Sequence, residues 1–212
     1  MKLRDSENMW VLGGFLGAVA LIAALALAFV SGLTAKPIEK AKEKNREQML
    51  RRLQLPDFDR VGAEIEIGSF KYCAVYKNGA LVGFVGQGSN KKGYAGEIEA
   101  LIGIGIDGKI TTVQILRHKE TPGLGANVCD RKFQRSVTDL TASAPAIPAN
   151  EYLDKFNKKD TASAGNWKIQ KDGGEFLYRT GATVSSRAIT ELVNEISSVF
   201  AANREKIQES SK

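Results

Sequence analysis

Two short segments of this 212-residue chain carry residue types that could do chemistry. The first is Glu120-Thr121-Pro122-Gly123-Leu124-Gly125. Its Pro-Gly pair predicts a type II turn. Gly123 and Gly125 leave backbone bare enough for a flat ring to lie against it, Thr121 offers a hydroxyl and Leu124 an apolar contact. The second is Thr180-Gly181-Ala182-Thr183, directly before a strongly amphipathic stretch. The free N–H groups and dipole of a helix start favour a phosphate, and Thr183 places a hydroxyl at that point. Read singly, each segment is explained as well by an ordinary turn or a helix cap as by a ligand.

The scarce residues narrow the chemistry. There is one histidine, His118, and there are two cysteines, Cys73 and Cys129. A structural zinc site needs four Cys or His ligands and an iron–sulfur cluster four thiolates, so no metal site is expected. CxxC, CxxCH and HExxH are all absent. No acid–base constellation for independent catalysis stands out either. The charge is +6, from 30 Lys and Arg against 24 Asp and Glu. Without an arginine cluster interleaved with aromatics, nucleic acid is not an expected partner. Redox or group-transfer chemistry here would need an organic cofactor or another subunit.

The elements that must position the two segments follow from periodicity. No charge occurs between Glu7 and Lys36, and Trp10 to Val30 is almost wholly apolar. At about 1.5 Å per residue that stretch spans roughly 30 Å, a bilayer core. It is too long for the apolar part of a signal peptide, although Val30-Ser31-Gly32 resembles a cleavage site. Gly13, Gly14, Gly17 and Ala18 share one face and would suit packing against another membrane helix. A Lys/Glu/Leu-rich helical stalk follows, expected to end at Pro56. Alternation then predicts strands over Phe70–Tyr76, Leu81–Val85, Glu97–Ile106 and Lys109–Leu116, with hairpin turns at Asn78-Gly79 and Asp107-Gly108. Gly103-Ile104-Gly105-Ile106-Asp107-Gly108 matches GxGxxG by letter. It lies in a strand and a hairpin rather than opening a helix, so it is no dinucleotide fingerprint. Residues 138–166 read as a long polar connection over one sheet edge, with a short amphipathic piece at 151–156. Ile189, Leu192, Val193, Ile196, Val199 and Phe200 form one helical stripe, with Ser185 or Ser186 as the expected N-cap.

Taken together, in this order and spacing, the two segments resemble those of FMN-binding subunits of membrane redox pumps. The resemblance covers nearly the whole chain: the N-terminal anchor, then GYAGEIEALIGI (93–104), HKETPGLGANV (118–128) and TGATVSSRAI (180–189). It is closest to the G subunits of Rnf ion-translocating electron-transport complexes and more distant from the C subunits of sodium-pumping NADH:quinone oxidoreductases. The resemblance implies an α+β fold: one N-terminal transmembrane helix, then a mostly antiparallel sheet flanked by helices. The expected divisions are a tail (1–9), a transmembrane helix (10–30), a helical stalk (31–56), an FMN-binding domain (57–205) and a C-terminal tail (206–212).

The same resemblance implies FMN joined to Thr183 by a phosphoester, attached by a flavin transferase that uses FAD. Thr180, Gly181 and Ala182 would surround the phosphate, and Glu120, Thr121, Gly123, Leu124 and Gly125 would form the flavin side of the site. It implies electron carriage within a bacterial inner-membrane complex that couples NADH/ferredoxin-type electron transfer to ion translocation. Its partners would be integral membrane and iron–sulfur subunits. The soluble domain would be periplasmic, whereas the lysines after the apolar stretch lean weakly toward the cytoplasm. A periplasmic setting would permit Cys73 and Cys129 to pair; the sequence leaves that open. The transferase motif usually starts with Asp six positions before the modified threonine, and Leu177 stands there instead. A membrane-anchored flavin sensor and a non-redox interaction module are the rival readings. His118 is expected to have a surface or structural role rather than to contact flavin, and Tyr94 and Trp167 are expected to pack in the core.

Overall fold

The computed structural model describes residues 9–51, 53–131 and 147–210. Residues 1–8 of the expected N-terminal tail, 138–146 of the polar connection and 211–212 of the C-terminal tail lie outside the described residues. The chain divides into two compact units, Met1–Arg46 and Glu47–Lys212.

The described part of the first unit lies within helix α1, Met9–Arg51. Its stretch Leu12–Thr34, 23 residues, is long and apolar enough to cross a membrane. Trp10, Leu12, Phe15, Leu25 and Phe29 are all exposed, the arrangement that suits a helix covered by lipid. Pro37 is accommodated inside the helix.

The second unit is built on six strands: β1 (Arg60–Val61), β2 (Ile65–Ile67), β3 (Phe70–Lys77), β4 (Ala80–Gly93), β5 (Gly96–Gly105) and β6 (Ile110–Arg117). Every pairing is antiparallel, in the order β1-β3-β4-β5-β6, with β2 also on β3. The Asn78-Gly79 turn has φ values of 51° and 79°, both positive as a type I′ hairpin demands. Alternation along β3 sends Phe70, Tyr72, Ala74 and Tyr76 into the larger core, and Cys73 and Val75 into a smaller one on the opposite face. Ile98, Ala100, Ile102 and Ile104 of β5 likewise face the larger core, while Ile106 lies beyond the strand end and is exposed.

Helix α3 (Thr183–Ser210) closes the larger core with Ile189, Leu192, Val193, Ile196 and Phe200. It can sit close because β4 is bare beneath it. A Cβ on Gly86 would fall 2.7 Å from Ile196 Cγ2, and one on Gly88 would fall 2.4 Å from Phe70 Cδ1. Tyr72 adds an O–H donated to the Ile196 carbonyl at 2.8 Å. The helix runs beyond the expected boundary at 205. It kinks at Asn203, whose side-chain amide donates to the Val199 carbonyl, and then buries Ile207. Residues 206–210 are therefore helix rather than tail, because Ile207 continues the apolar stripe.

One further expectation needs correction, and the question the sequence leaves open about the cysteines is answered. The stalk helix ends at Arg51, short of Pro56, because the chain turns there into the smaller core. Leu50 and Leu53 are buried with Cys73, Val75, Val85 and Leu101, and Leu55 and Phe58 pack against them. The Leu53 carbonyl accepts a 2.6 Å hydrogen bond from Thr111 Oγ1. The cysteines are not joined: Cys73 lies in the smaller core and Cys129 in the larger, on opposite faces of the sheet.

The connection after α2 (Ala126–Cys129) does reach a sheet edge. Ile110 donates its N–H to the Lys159 carbonyl and accepts from Lys158. The expected piece at 151–156 contains a 3₁₀ turn, Leu153–Phe156, with both end residues fully buried. Phe156 stacks on Phe176 at 4.6 Å between ring centroids, and Trp167 packs beside both.

Candidate functional site

The site grows from the end of β6. Residues 121–124 form the predicted turn: Gly123 has φ 83°, and Leu124 donates its N–H to the Thr121 carbonyl. A positive φ at the third position is what a type II turn requires. Thr121, Pro122 and Gly123 are exposed, and Leu124 is 50% exposed. The chain then drops inward, so that Gly125, Ala126, Val128 and Cys129 are buried.

The second segment turns at Gly181, φ 83°, and enters α3 at Thr183. Ala182 is buried and its carbonyl accepts the N–H of Ser186, the first bond of the helical ladder. The N–H groups of Thr183, Val184 and Ser185 therefore lie outside the ladder, as the opening donors of any helix do. Thr183 is half-buried at this end; Thr180 is exposed. The helix thus starts before Ser185 and Ser186, which are buried in its first turn instead of capping it. The Arg179 N–H donates to Ser186 Oγ, and Tyr152 donates to the Ser186 carbonyl at 2.6 Å.

The two segments meet. Leu124 Cδ2 lies 3.3 Å from where a Cβ on Gly181 would stand. Behind that contact, Ser185 Oγ donates to Glu120 Oε2 at 2.7 Å, and the Ala95 N–H donates to Glu120 Oε1 at 3.2 Å. Glu120 is 5% exposed. Its own N–H donates to His118 Nδ1 at 3.1 Å, so the ring's other nitrogen, Nε2, carries the proton donated to Asp130 at 2.7 Å. Both ring nitrogens of His118 are thereby engaged within the protein. Cys129 is close enough that Glu120 and Asp130 add to the effect of burial, which pushes its thiol up to about 12.

Ser185 and Ala95 lie in segments that carry the family resemblance, but by itself Ser185 reads only as a cap and nothing in Ala95 marks it as a partner of Glu120. Each is distant in sequence from Glu120, and no local pattern announces such a pairing. Tyr94, expected in the core, is 74% exposed, because it sits at the tip of the β4–β5 hairpin beside Ala95. Trp167 is in the core. Leu177 is half-exposed on the segment leading to Thr180. Arg187, one turn into α3, holds the 3₁₀ turn Gln170–Asp172 that precedes this segment, through a two-point pair with Asp172 at 2.6 and 2.8 Å. The guanidinium keeps the Asp172 carboxyl below its ordinary value. Among the described residues, no group of three or more His, Cys, Asp or Glu is placed to hold a metal.

The arrangement offers a hydroxyl at a helix start, opening N–H donors beside it, and half-exposed Leu124 and Val184 flanking it. That combination fits a phosphate attached to a flat, partly apolar ring. The family described as FMN-binding domain matches residues 93–198, half of the chain, and spans both segments. The G subunit of an ion-translocating oxidoreductase complex from Pseudomonas aeruginosa is 30% identical over 91% of this chain and 88% of its own length. The G subunit of a Na(+)-translocating ferredoxin:NAD(+) oxidoreductase complex from Acetobacterium woodii is 32% identical over 90% of each. The corresponding Pseudoalteromonas atlantica protein is 33% identical over a shorter span, 61% of this chain and 53% of its own. With its fold, its FMN-binding domain and relatives that align along most of its length, the chain belongs to the family of G subunits of ion-translocating oxidoreductase complexes.

Proposed function

We propose that this chain is the flavin-carrying, electron-transferring subunit of a membrane-bound ion-translocating oxidoreductase, with FMN joined covalently to Thr183. The observation that carries this reading is the contact of the two segments at the start of α3. Leu124 lies against Gly181, and Thr183 is the first residue of the helix, where its opening N–H groups lie. Bound there, FMN supplies one- and two-electron transfer.

The chain's own residues would perform three tasks. Thr183 Oγ1 forms the phosphoester and loses its proton, with FAD as donor and AMP as the leaving group, under the action of a flavin transferase. The N–H groups of Thr183, Val184 and Ser185, with the helix dipole, offset the phosphate charge. Leu124 and Gly123 give the ring an apolar face and bare backbone, with Thr121 and Thr180 at the rim and Gly125 buried behind them. Leu177 occupies the position usually held by Asp in the transferase motif, and its exposure keeps that segment accessible to an enzyme.

The apolar stretch of α1 anchors the chain in the bacterial inner membrane. We assign the FMN-binding domain to the periplasmic side, where a covalent tether prevents loss of a cofactor that could not be replenished. Electrons arrive from and leave to other integral membrane and iron–sulfur subunits of the complex, which couple NADH/ferredoxin-type transfer to ion movement.

A denaturing gel of the membrane fraction, viewed under ultraviolet light, tests the reading. Wild-type chain made together with its transferase is expected to give a fluorescent band, and Thr183→Ala none. Covalent flavin retained in Thr183→Ala would overturn the assignment. A wild-type chain without flavin would favour an interaction module, and a flavinylated chain without membrane partners would favour a sensor.

A further inference from the structure

We infer that Glu120 is a positioning residue, a buried carboxylate that locks three separate segments into one site; the inference rests on the proposed attachment of FMN to Thr183. Its Oε1 accepts from the Ala95 N–H at the tip of the β4–β5 hairpin, and its Oε2 accepts from Ser185 Oγ in the first turn of α3. Glu120 itself begins the turn that carries Leu124. One side chain therefore joins the hairpin tip, the turn and the helix start.

The slot around it is built to this carboxylate. A Cβ on Gly93 would clash first with the Gly96 carbonyl oxygen across the hairpin and would also fall 2.7 Å from Oε1, and a Cβ on Gly125 would fall 2.2 Å from Oε2 and 2.6 Å from Ser185 Oγ. Each oxygen thus rests against a bare glycine. Gly125 has φ −61° and ψ −34°, a conformation open to any residue, so steric room and not backbone freedom accounts for glycine there. The backbone behind Glu120 is fixed as well, through its N–H on His118 Nδ1 and His118 Nε2 on Asp130. With Glu120 5% exposed, the carboxylate braces the site from behind and leaves the exposed side of Leu124 and Thr183 to the cofactor.

This differs from a role as a flavin contact. A contact residue would present its carboxylate to the ring, whereas both oxygens here already accept from protein donors. The side chain that fits the same slot is glutamine. Its Oε1 accepts from the Ala95 N–H and its Nε2 donates to Ser185 Oγ, whose lone pairs are available once its own proton turns away.

The test uses the full-length chain made with its transferase and extracted from membranes. Glu120→Ala, Glu120→Gln and Ser185→Ala are compared with wild type for the fraction carrying fluorescent flavin, the visible circular dichroism of that flavin and the amide exchange rate of Ala95. Glu120→Ala is expected to speed Ala95 exchange at least tenfold, to lower flavin loading several-fold and to alter the visible spectrum. Glu120→Gln is expected to restore all three. Ser185→Ala is expected to alter the spectrum while leaving Ala95 protected, and it carries the test should Glu120→Ala fail to fold. Folded Glu120→Ala with wild-type loading and visible spectrum would overturn the inference, as would a Ser185→Ala spectrum identical to wild type. Failure of Glu120→Gln to restore them would replace positioning by a requirement for charge, and would overturn it too. Flavin retained in Thr183→Ala would instead refute the attachment site, and so separates the two claims.

Discussion

Gly125→Ala sets two effects of opposite sign against each other. The backbone at Gly125 is already helical, φ −61° and ψ −34°. Alanine would therefore fit without strain and gain about 0.4–1 kcal/mol by restricting the unfolded chain. Against this, its Cβ would stand 2.2 Å from Glu120 Oε2, 2.6 Å from Ser185 Oγ and 3.0 Å from Glu120 Cβ. The first two atoms end side chains, which elsewhere would move aside. Here both are buried and bonded to each other, and Glu120 is also held by Ala95. Overpacking a buried site costs about 1–3 kcal/mol, and a hydrogen bond to a charged group is worth about 1.5–3 kcal/mol. With the bond stretched rather than wholly lost, the net destabilisation is about 2–4 kcal/mol. For a domain of this size that lowers Tm by roughly 6–12 °C. The assay is thermal unfolding of the full chain in detergent, followed by near-ultraviolet circular dichroism. An unchanged or raised Tm would refute the clash argument, since the unfolded-chain gain alone predicts a rise.

Three further outcomes follow. Burial pushes Cys129 and Tyr152 each up to about 12, so the folded state keeps protons that the unfolded state releases from its ordinary thiol and phenol values upward. Stability therefore falls as pH rises from about 9 toward 12, by up to about 1.4 kcal/mol per pH unit per group. Urea midpoints at several pH values check this, and Cys129→Ala should remove the part that begins at the thiol's value. Leu53→Ala, at a fully buried position, should cost about 2–4 kcal/mol in urea unfolding; a loss below about 0.5 kcal/mol would show the segment after α1 to be a mere tether. Leu177→Asp, at a half-exposed position, should leave Tm within about 2 °C and speed flavin attachment on the fluorescent gel; slower attachment would mean that Leu177 itself is recognised.

What is legible in the sequence is local. Strand β3 and the start of β4 announce themselves because alternation and Asn78-Gly79 sit side by side. The turn at Gly123 and the helix after Thr183 are equally short-range signals. The far half of β4 is not legible, because Gly86 and Gly88 interrupt the alternation and read as breakers. They are instead the bare bed on which Ile196 and Phe70 pack, a fact that depends on a helix a hundred residues away. The stalk misleads for a similar reason: its Lys/Glu composition describes a solvated helix, but Leu50 and Leu53 find apolar partners on the second face of the sheet.

Gly125, too, invites one explanation from sequence and receives another from the fold. From sequence, its missing side chain suggests room for a ring. In the fold, part of that room is already taken by Glu120 Oε2 and Ser185 Oγ. Gly123 differs, since its positive φ serves the turn and nothing lies within 4 Å of where its Cβ would be. The two glycines of one short segment thus have different jobs: Gly123 leaves open surface, and Gly125 admits the brace behind it. A site that must hold a large cofactor at a fixed orientation needs both, because an open face without support would leave Leu124 and Thr183 free to drift apart. Gly123→Ala should therefore act mainly through turn strain, and Gly125→Ala through the Glu120–Ser185 bond. Only the second should be relieved by shortening the carboxylate, so Gly125→Ala combined with Glu120→Asp should be less unstable than the two single changes summed.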